Sequence, residues 1–241
     1  MKYNPMSPSN WQQIDTVLLD MDGTLLDLHF DNYFWQTYVP QCYAKLQGIS
    51  EAEALTELNK SFIGLSGTLD WYCIDFWSNL TGLPILELKK EVAHKIAIRP
   101  QTLNFLTELR RLNKRTVIVT NAHRGSVDLK MARTGLDKYV DRIISSHDYQ
   151  APKESEKFWQ ALQQDEPFNN ERTLFVDDSQ SVLASAAKYG VKWLVSINNP
   201  DSQIPSKPSQ EFHGIDEFKQ ILPSSAVEIS TDSPILKVSF T

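Results

Sequence analysis

The stretch DTVLLDMDGTLLDLHF, residues 15–30, joins a short apolar run to a group of acidic side chains. Its first part, TVLL at 16–19, does not alternate apolar with polar residues. Such a run is typical of a strand that helices cover on both faces of a parallel sheet. Asp20, Asp22 and Asp27 then follow within eight residues. The chain therefore places several negative charges at the carboxyl end of a buried strand.

Four more runs of the same kind follow this one. They are rich in Val, Ile, Leu and Phe and comprise TVIV at 116–119, RIIS at 142–145, TLFV at 173–176 and KWLV at 192–195. Helical patterns lie between most of them: PQTLNFLTELRRLN carries leucines along one side, and SVLASAAKYG ends at a glycine suited to a left-handed cap. The alternation of strand and helix predicts an α/β fold with a doubly wound parallel sheet.

One connection is much longer than a crossover helix requires. Between Asp22 and Thr120 lie 97 residues. Their pattern predicts four helices, at about 31–47, 50–63, 68–80 and 84–96. Ser50 with Glu53 forms a capping box at the start of the second of these helices. We therefore expect a helical cap inserted after the first strand.

This pattern divides the chain into three parts. They are a discontinuous Rossmann-like α/β core at 1–30 and 97–222, a helical cap at 31–96, and a tail at 223–241 to which the sequence assigns no role. Near the end of the core, GIDEFKQIL at 214–222 predicts one more helix. The expected architecture is a parallel sheet whose first crossover has been expanded into a cap.

The composition narrows the class of protein and partner. The net charge is −6 and the isoelectric point about 5.4, with Lys and Arg scattered along the chain, so a nucleic acid polymer is not an expected partner. With only Cys42 and Cys73, and no apolar leader, we expect a cytoplasmic protein with reduced thiols. No apolar run approaches the length that spans a bilayer. The oligomeric state stays open, and a monomer is compatible with the sequence.

In an open α/β sheet, ligands bind beyond the carboxyl ends of the strands, where the loops meet. The polar residues that follow the predicted strands form the candidate site; they are Asp20, Asp22, Thr120, Asn121, Lys153, Asp177 and Asp178. Two carboxylates about 4 Å apart repel each other by roughly 4 kcal/mol at an effective dielectric constant of about 20. These aspartates therefore tolerate a bound phosphate only if cations share the site. Lys153 supplies one charge, and Mg²⁺, which prefers oxygen ligands, would supply two more.

The same residues point to a reaction. Asp20 is the candidate nucleophile, which would attack phosphorus and form an aspartyl-phosphate. Asp22 could protonate the leaving oxygen and then take a proton from the water that hydrolyses the intermediate. Gly23 lets the backbone turn closely around a ligand, so that backbone amides can point at phosphate oxygens together with the Thr120 hydroxyl.

Four short motifs resemble those of the haloacid dehalogenase-like hydrolases, in order and at suitable spacing. They are DMDGTL at 20–25, VTN at 119–121, PKES around Lys153, and FVDDS at 175–179. The helical insert is similar to the cap of the first subclass of that family. A carboxylate at Asp22 favours phosphate-ester hydrolysis or mutase chemistry, because dehalogenases of the family lack one at this place and the ion-pumping ATPases carry Thr there.

The resemblance implies a role for each motif residue. Asp20 is expected to be the nucleophile and Asp22 the acid/base, while Lys153 stabilises charge. Thr120, with Asn121 beside it, is expected to bind the substrate phosphate. The metal is assigned to a set of four residues: Asp20, Asp22 through its backbone carbonyl, Asp178 as a direct ligand, and Asp177 as a direct or water-mediated one.

A narrower resemblance, to the bacterial GMP/IMP nucleotidases, extends through less common stretches. It rests on FDNYFWQTYVP, LDWYCIDFWS, TNAHR, ERTLFVDDS and NPDS, and covers most of residues 11–222. It implies removal of the 5′-phosphate from purine nucleotides. Two alternatives remain open: a sugar-phosphate phosphatase or phosphoglucomutase-type phosphotransferase on the same fold, and a catalytically silent nucleotide-binding module.

Overall fold

The computed structural model describes residues 6–209 and 211–222, and its central element is a parallel sheet. Within these residues the sheet has six strands: β1 (Thr16–Leu19), β2 (Arg115–Thr120), β3 (Arg142–Ser145), β4 (Thr173–Asp177), β5 (Trp193–Ile197) and β6 (His213–Ile215). Their order is β3-β2-β1-β4-β5-β6, and every neighbouring pair is parallel. The prediction of a doubly wound parallel sheet is confirmed.

Helices connect the strands. Those of the described residues are α1 (His29–Tyr33), α2 (Val39–Gln47), α3 (Glu51–Phe62), α4 (Leu69–Tyr72), α5 (Ile74–Thr81), α6 (Ile85–Glu91), α7 (Thr102–Arg111), α8 (Arg124–Thr134), α9 (Glu156–Asp165) and α10 (Gln180–Tyr189). Short 3₁₀ turns lie at Pro8–Gln13, Ala93–Lys95, Leu136–Tyr139, Ser146–Tyr149, Asn170–Arg172 and Phe218–Gln220. The connections from β2 to β5 thus follow the expected alternation of strand and helix.

The two faces of β1 explain why its sequence does not alternate. Val17 and Leu19 belong to the hydrophobic core that includes residues of α7 and α8, whereas Leu18 belongs to a second core with residues of α9 and α10. All three side chains are fully buried. Because successive side chains of a strand point to opposite faces, a strand covered on both sides must be apolar throughout.

The long connection between β1 and β2 contains α1 to α7, and α1 to α6 lie in the stretch where the cap was predicted. The helix predicted at 50–63 is present as α3, and Ser50 Oγ accepts the Glu53 N–H at 3.3 Å, as the capping box requires. The other three predicted helices are less regular. A π-helical turn at Phe34–Tyr38 joins α1 to α2, Cys73 separates α4 from α5, and α6 ends before a 3₁₀ turn.

The helix predicted for GIDEFKQIL is wrong. Within this stretch β6 pairs with β5, and Phe218–Gln220 forms a 3₁₀ turn. Ile215 and Phe218 are buried, and their spacing is compatible with the inner face of a helix as well as with the observed strand and turn. Residues 213–215 form a strand because the free edge of β5 offers backbone partners, and this edge exists only in the assembled sheet. The tail at 223–241 lies outside the described residues, and the predicted boundaries at 31 and 96 stay predictions.

None of the helices in the described ranges combines the length and the apolar character that crossing a bilayer requires.

Candidate active site

The loop after β1 brings acidic residues to the carboxyl edge of the sheet. Asp20 extends the strand, and its N–H donates to the Val176 carbonyl of β4 at 2.9 Å. At Gly23 the backbone φ is +84°, and a Cβ atom there would lie 2.7 Å from the Asp178 carboxyl group. Any other residue would be strained at this φ and would also displace Asp178, so the loop needs glycine to bring the two ends of the site together.

Lys153 lies at the centre of the site. Its side chain is 2 % exposed, and Nζ donates to Asp20 Oδ1 at 2.5 Å, to Asp177 Oδ2 at 2.7 Å and to the Val119 carbonyl at 3.1 Å. Burial alone would lower the pKa of Lys153, but the carboxylates of Asp177 and Asp20 raise it above its ordinary value. The amino group is therefore held in its charged form.

Asn121 orients the loop that carries Lys153. Its Oδ1 accepts the Lys153 backbone N–H at 2.9 Å, and its Nδ2 donates to Glu154 at 3.0 Å. Asn121 also lines the cavity described below. Thr120, the other residue predicted to bind phosphate, is 1 % exposed, and its Oγ1 accepts the Ala122 N–H at 3.0 Å. Thr120 is not among the described residues that line the cavity.

Three carboxylates meet beside Lys153. Asp20, Asp177 and Asp178 each offer an oxygen atom within 4.8 Å of the other two. Burial, reinforced by Asp177 and opposed by Lys153, raises the pKa of Asp20 to about 6. Burial first, and then Asp177 and Asp20, raise the pKa of Asp178 well above its usual range. Within the described residues Lys153 is the cation that forms ion pairs with this cluster, so the cluster lacks positive charge.

The hydrogen bonds indicate which oxygens remain open to a cation. Asp177 uses both of its oxygens, because Oδ1 accepts the Ser179 N–H at 2.8 Å and Oδ2 accepts from Lys153. Asp20 Oδ2 is buried without a hydrogen-bond partner. A buried, unpartnered carboxylate oxygen is unfavourable unless an ion completes its environment. The oxygen-only donors fit Mg²⁺ better than a softer metal.

The Asp22 side chain lies apart from this cluster. Its Oδ1 forms an ion pair at 2.7 Å with Lys130 of α8, whose side chain is 2 % exposed. Burial raises the pKa of Asp22 to about 6, and the charge of Lys130 limits the rise. Four residues were predicted from the sequence to bind a metal. The carboxyl groups of three of them, Asp20, Asp177 and Asp178, lie together, whereas the carboxyl group of Asp22 contacts a different cation, Lys130.

Two further residues continue this ion pair into the helical insert. Lys130 Nζ lies 2.7 Å from Asp31 Oδ2, and Lys89 Nζ lies 2.8 Å from Asp31 Oδ1. Burial alone would raise the pKa of Asp31, but Lys130 and Lys89 hold it well below its usual value. Neither lysine belongs to a sequence motif, because each is an ordinary helical lysine whose burial depends on elements far away in the chain.

A cavity of about 700 Å³ lies above these groups. Its charged wall includes Asp20, Asp22, Lys153 and Asp178, and its opposite wall comes from the helical insert. The aromatic side chains in that wall are Trp35, Phe62, Trp71, Tyr72 and Trp77. These rings pack mostly edge to face, and Tyr72 donates a hydrogen bond to Glu154 at 2.7 Å. Cavities of this size and polarity suit small organic ligands that carry one charged end.

Cys73, His123 and His147 form a second group of side chains that could bind a metal, with ligand atoms within 4.8 Å of one another. Two of these side chains already cap helices. Cys73 Sγ accepts the Phe76 N–H at 3.4 Å at the start of α5, and His123 Nδ1 accepts the Gly125 N–H at 3.2 Å at the start of α8. We therefore assign these two side chains to helix capping where the insert meets the core.

This chain is similar to a known family of hydrolases. The model described as haloacid dehalogenase-like hydrolase matches residues 14–190. Among curated proteins, the GMP/IMP nucleotidase YrfG of Escherichia coli (strain K12) is 39 % identical over 214 residues, which cover 89 % of this chain and 96 % of that protein. The protein of the same name from Shigella flexneri matches with the same identity and coverage.

Solved structures agree with this family. A HAD phosphatase from Thermococcus onnurineus superposes with a TM-score of 0.71 at 26 % identity, covering 86 % of this chain and 96 % of that one. A putative β-phosphoglucomutase from Thermotoga maritima has a TM-score of 0.59 at 17 % identity, covering 90 % of this chain and all of that one. At that identity the second likeness concerns the fold alone.

Proposed function

The chain belongs to the haloacid dehalogenase-like hydrolase family, and on that premise we propose that it is a Mg²⁺-dependent 5′-nucleotidase acting on GMP and IMP. The family and the nucleotidase relatives support a phosphatase. The observation that carries the proposal is the position of Asp20, which holds one oxygen against Lys153 and leaves the other without a partner at the base of an aromatic cavity.

The donor set of the site supports the choice of metal. Asp20 and Asp178 would hold Mg²⁺ directly, with the backbone carbonyl of Asp22 as the further ligand that the family implies. Asp177, whose two oxygens are already engaged, would act through water. When bound, Mg²⁺ supplies the positive charge that the three carboxylates lack and lowers their repulsion for a phosphate dianion.

In the first step a carboxylate oxygen of Asp20 attacks phosphorus. A bond forms between this oxygen and phosphorus as the bond from phosphorus to the ester oxygen breaks. Lys153 keeps Asp20 ionised and aligned through its bond to Oδ1 at 2.5 Å. Asp22 donates its proton to the leaving 5′-oxygen, so the nucleoside departs as a neutral alcohol.

In the second step water hydrolyses the aspartyl-phosphate. Asp22, now ionised, takes a proton from the water as the water oxygen attacks phosphorus, and the bond to Asp20 breaks. A pKa of Asp22 raised to about 6 suits a group that must act in both directions near neutral pH.

The aromatic wall supports a nucleotide as substrate. A purine can lie against aromatic rings, and base stacking on such rings contributes about 1–3 kcal/mol. Trp35, Trp71 and Tyr72 are half-buried cavity residues whose rings are therefore available for such contact. In this proposal residues 31–96 form the cap over a core of 1–30 and 97–222, and both cysteines remain free thiols in the cytoplasm.

The test is phosphate release from a panel of esters. We expect kcat/KM for GMP and IMP to exceed that for pyrimidine nucleotides and hexose phosphates at least about tenfold, because one well-packed ring contact is worth about 1.4 kcal/mol or more. Addition of EDTA should stop release from all of them. The matched variants are Asp20→Asn, which should be inactive, and Asp15→Asn at the opposite end of β1, which should be fully active.

The same panel separates the alternatives. Equal or faster turnover of hexose phosphates would replace the nucleotidase with a sugar-phosphate phosphatase. Transfer of phosphate between positions of a sugar, without net release, would identify a mutase. Saturable GMP binding without release under any divalent metal would instead identify a silent nucleotide-binding module.

A further inference from the structure

Lys130 is a buried cation that none of the sequence motifs includes. It lies on α8, and its ammonium group touches Asp22 Oδ1 and Asp31 Oδ2, each at 2.7 Å. A buried ammonium is tolerated only when carboxylates compensate its charge, and here there are two. Burial alone would lower the pKa of Lys130, but Asp22 and Asp31 raise it above the ordinary value.

The ion pair constrains the Asp22 carboxyl group. Within the described residues, Lys130 is the cation that forms an ion pair with Asp22, and it does so through Oδ1. Asp22 Oδ1 is buried and has this ion pair but no hydrogen bond, and the hydrogen bonds of these residues include none to Oδ2 either. A carboxyl group held by one oxygen cannot rotate freely, so the other oxygen occupies a defined position in the cavity that Asp22 lines.

Asp31 and Lys89 hold Lys130 in turn. Asp31 lies between the two lysines, and Lys89 is 3 % exposed. The chain of charges runs from Asp22 in the core through Lys130 and Asp31 to Lys89 of α6. It contains two carboxylates and two ammonium groups, so its charges balance without a ligand.

We propose that Lys130 is a positioning residue for the acid/base step. It fixes Asp22 Oδ1, and this leaves Oδ2 as the oxygen that gives its proton to the leaving oxygen and later receives one from water. The inference rests on the acid/base role of Asp22 in the proposed function. It assigns Lys130 neither to the substrate phosphate nor to the metal.

Leaving-group dependence tests this role. An alkyl phosphate needs a proton on its leaving oxygen, whereas p-nitrophenyl phosphate releases a stable nitrophenolate that does not. In Lys130→Met we expect kcat for the best alkyl substrate to fall about 100-fold, the range of a misplaced general acid. The first-turnover rate of nitrophenolate release should fall less than about fivefold, with KM for both substrates nearly unchanged.

A burst of nitrophenolate release should accompany this difference between alkyl and aryl substrates. If Asp22 is also misplaced as the base, hydrolysis of the aspartyl-phosphate slows, and Lys130→Met should release about one nitrophenolate per active site before a slow steady state. Asp22→Asn should show the same leaving-group effect. An Asp22→Asn variant that lacked it would overturn the acid/base role of Asp22, and the proposal with it.

Two variants serve as controls. Lys89→Met removes an equally buried lysine of the same ion-pair chain that does not touch Asp22, and Asp31→Asn preserves the Asp22 pair with Lys130. Both should keep the ratio of alkyl to aryl rates within about threefold of wild type, whatever their overall activity. If Lys130→Met fails to fold, the double variant Asp31→Asn/Lys130→Met removes one charge of each sign and should show the same selective loss.

Two results would overturn the proposal. Equal losses for alkyl and aryl substrates would mean that Lys130 only stabilises the fold, and a rise in KM for both would mean that it binds the phosphate. The alkyl substrate is whichever ester the wild-type protein hydrolyses best. A failure to hydrolyse GMP or IMP would therefore count against the proposed substrate and not against the role of Lys130.

Discussion

Two groups of buried charges share one cavity, and they differ in their balance. Around Lys153, three carboxylates meet one ammonium group, and Asp20 Oδ2 has no partner. Around Lys130, two carboxylates alternate with two ammonium groups at 2.7–2.8 Å. We refer to these as the open cluster (Asp20, Lys153, Asp177, Asp178) and the closed chain (Asp22, Lys130, Asp31, Lys89).

Charge balance distinguishes a buried group that can bind a ligand from one that holds a side chain in place. An uncompensated buried charge is unfavourable in the free protein, and that energy is recovered when a cation binds. A compensated chain gains nothing from a ligand and instead fixes its members in one geometry. The open cluster is therefore suited to binding metal and phosphate, and the closed chain to orienting Asp22.

The largest expected effect comes from Asp20, the proposed nucleophile of the open cluster. Asp20→Asn removes the attacking carboxylate and keeps the side-chain shape, so kcat should fall by about 10⁴ or more. Asp15→Asn, on the same strand, should change kcat less than twofold. Phosphate release under saturating substrate and Mg²⁺ measures both. Residual activity of Asp20→Asn within tenfold of wild type would remove Asp20 from the mechanism.

Loss of Lys153 should affect stability as well as rate. Lys153→Met leaves three buried carboxylates without their fixed cation, and breaking such a pair destabilises by about 3–5 kcal/mol. We expect its Tm in EDTA to fall by about 10 °C and saturating Mg²⁺ to restore part of the loss. A Tm equal to that of wild type in EDTA would show that the cluster is not short of positive charge.

Replacing an aspartate by asparagine should shift Tm in opposite directions in the two groups. Asp178→Asn removes an anion whose pKa is raised, so it should increase Tm in EDTA by a few degrees while abolishing stabilisation by Mg²⁺. Asp31→Asn removes an anion whose pKa is lowered, and should decrease Tm by a similar amount or more. Thermal unfolding with and without Mg²⁺ measures both. Shifts of the same sign would contradict the distinction between the groups.

The open cluster should also make the stability of the protein depend on pH. The folded protein keeps the Asp20 proton up to a pKa of about 6, whereas an ordinary aspartate loses it near 3.8. Between these values, raising the pH removes a proton from the folded protein that the unfolded chain has already released, so stability falls by up to about 3 kcal/mol for this group. Below pH 3.8 and above pH 6 the contribution is constant.

The comparison with Asp20→Asn isolates this contribution. In EDTA the variant should gain stability relative to wild type as the pH rises from 4 to 6, and the difference should level off above that range. Chemical unfolding at several pH values measures the difference. A difference that is constant from pH 4 to pH 7 would mean that the Asp20 pKa is ordinary in the metal-free protein.

Most of the fold follows from local patterns. The five apolar runs are strands, Ser50 with Glu53 caps α3, and Gly190 ends α10 with a φ of +103°. These features depend on residues close in sequence, whose preferences act before the tertiary structure forms. Strand β6 could not be predicted in this way. A short edge strand depends on its pairing with a neighbouring strand, and the local sequence does not indicate that neighbour.

The open cluster was also accessible from sequence, because each member follows a strand and parallel strands end at one edge. The sequence by itself thus determined which carboxylates and which lysine meet at Asp20. Only the tertiary structure decided that Asp22 pairs with Lys130, and that Asp31 and Lys89 continue the chain. Helical lysines are exposed in most proteins, and whether one becomes buried against a carboxylate depends on how distant helices pack rather than on its neighbours in sequence.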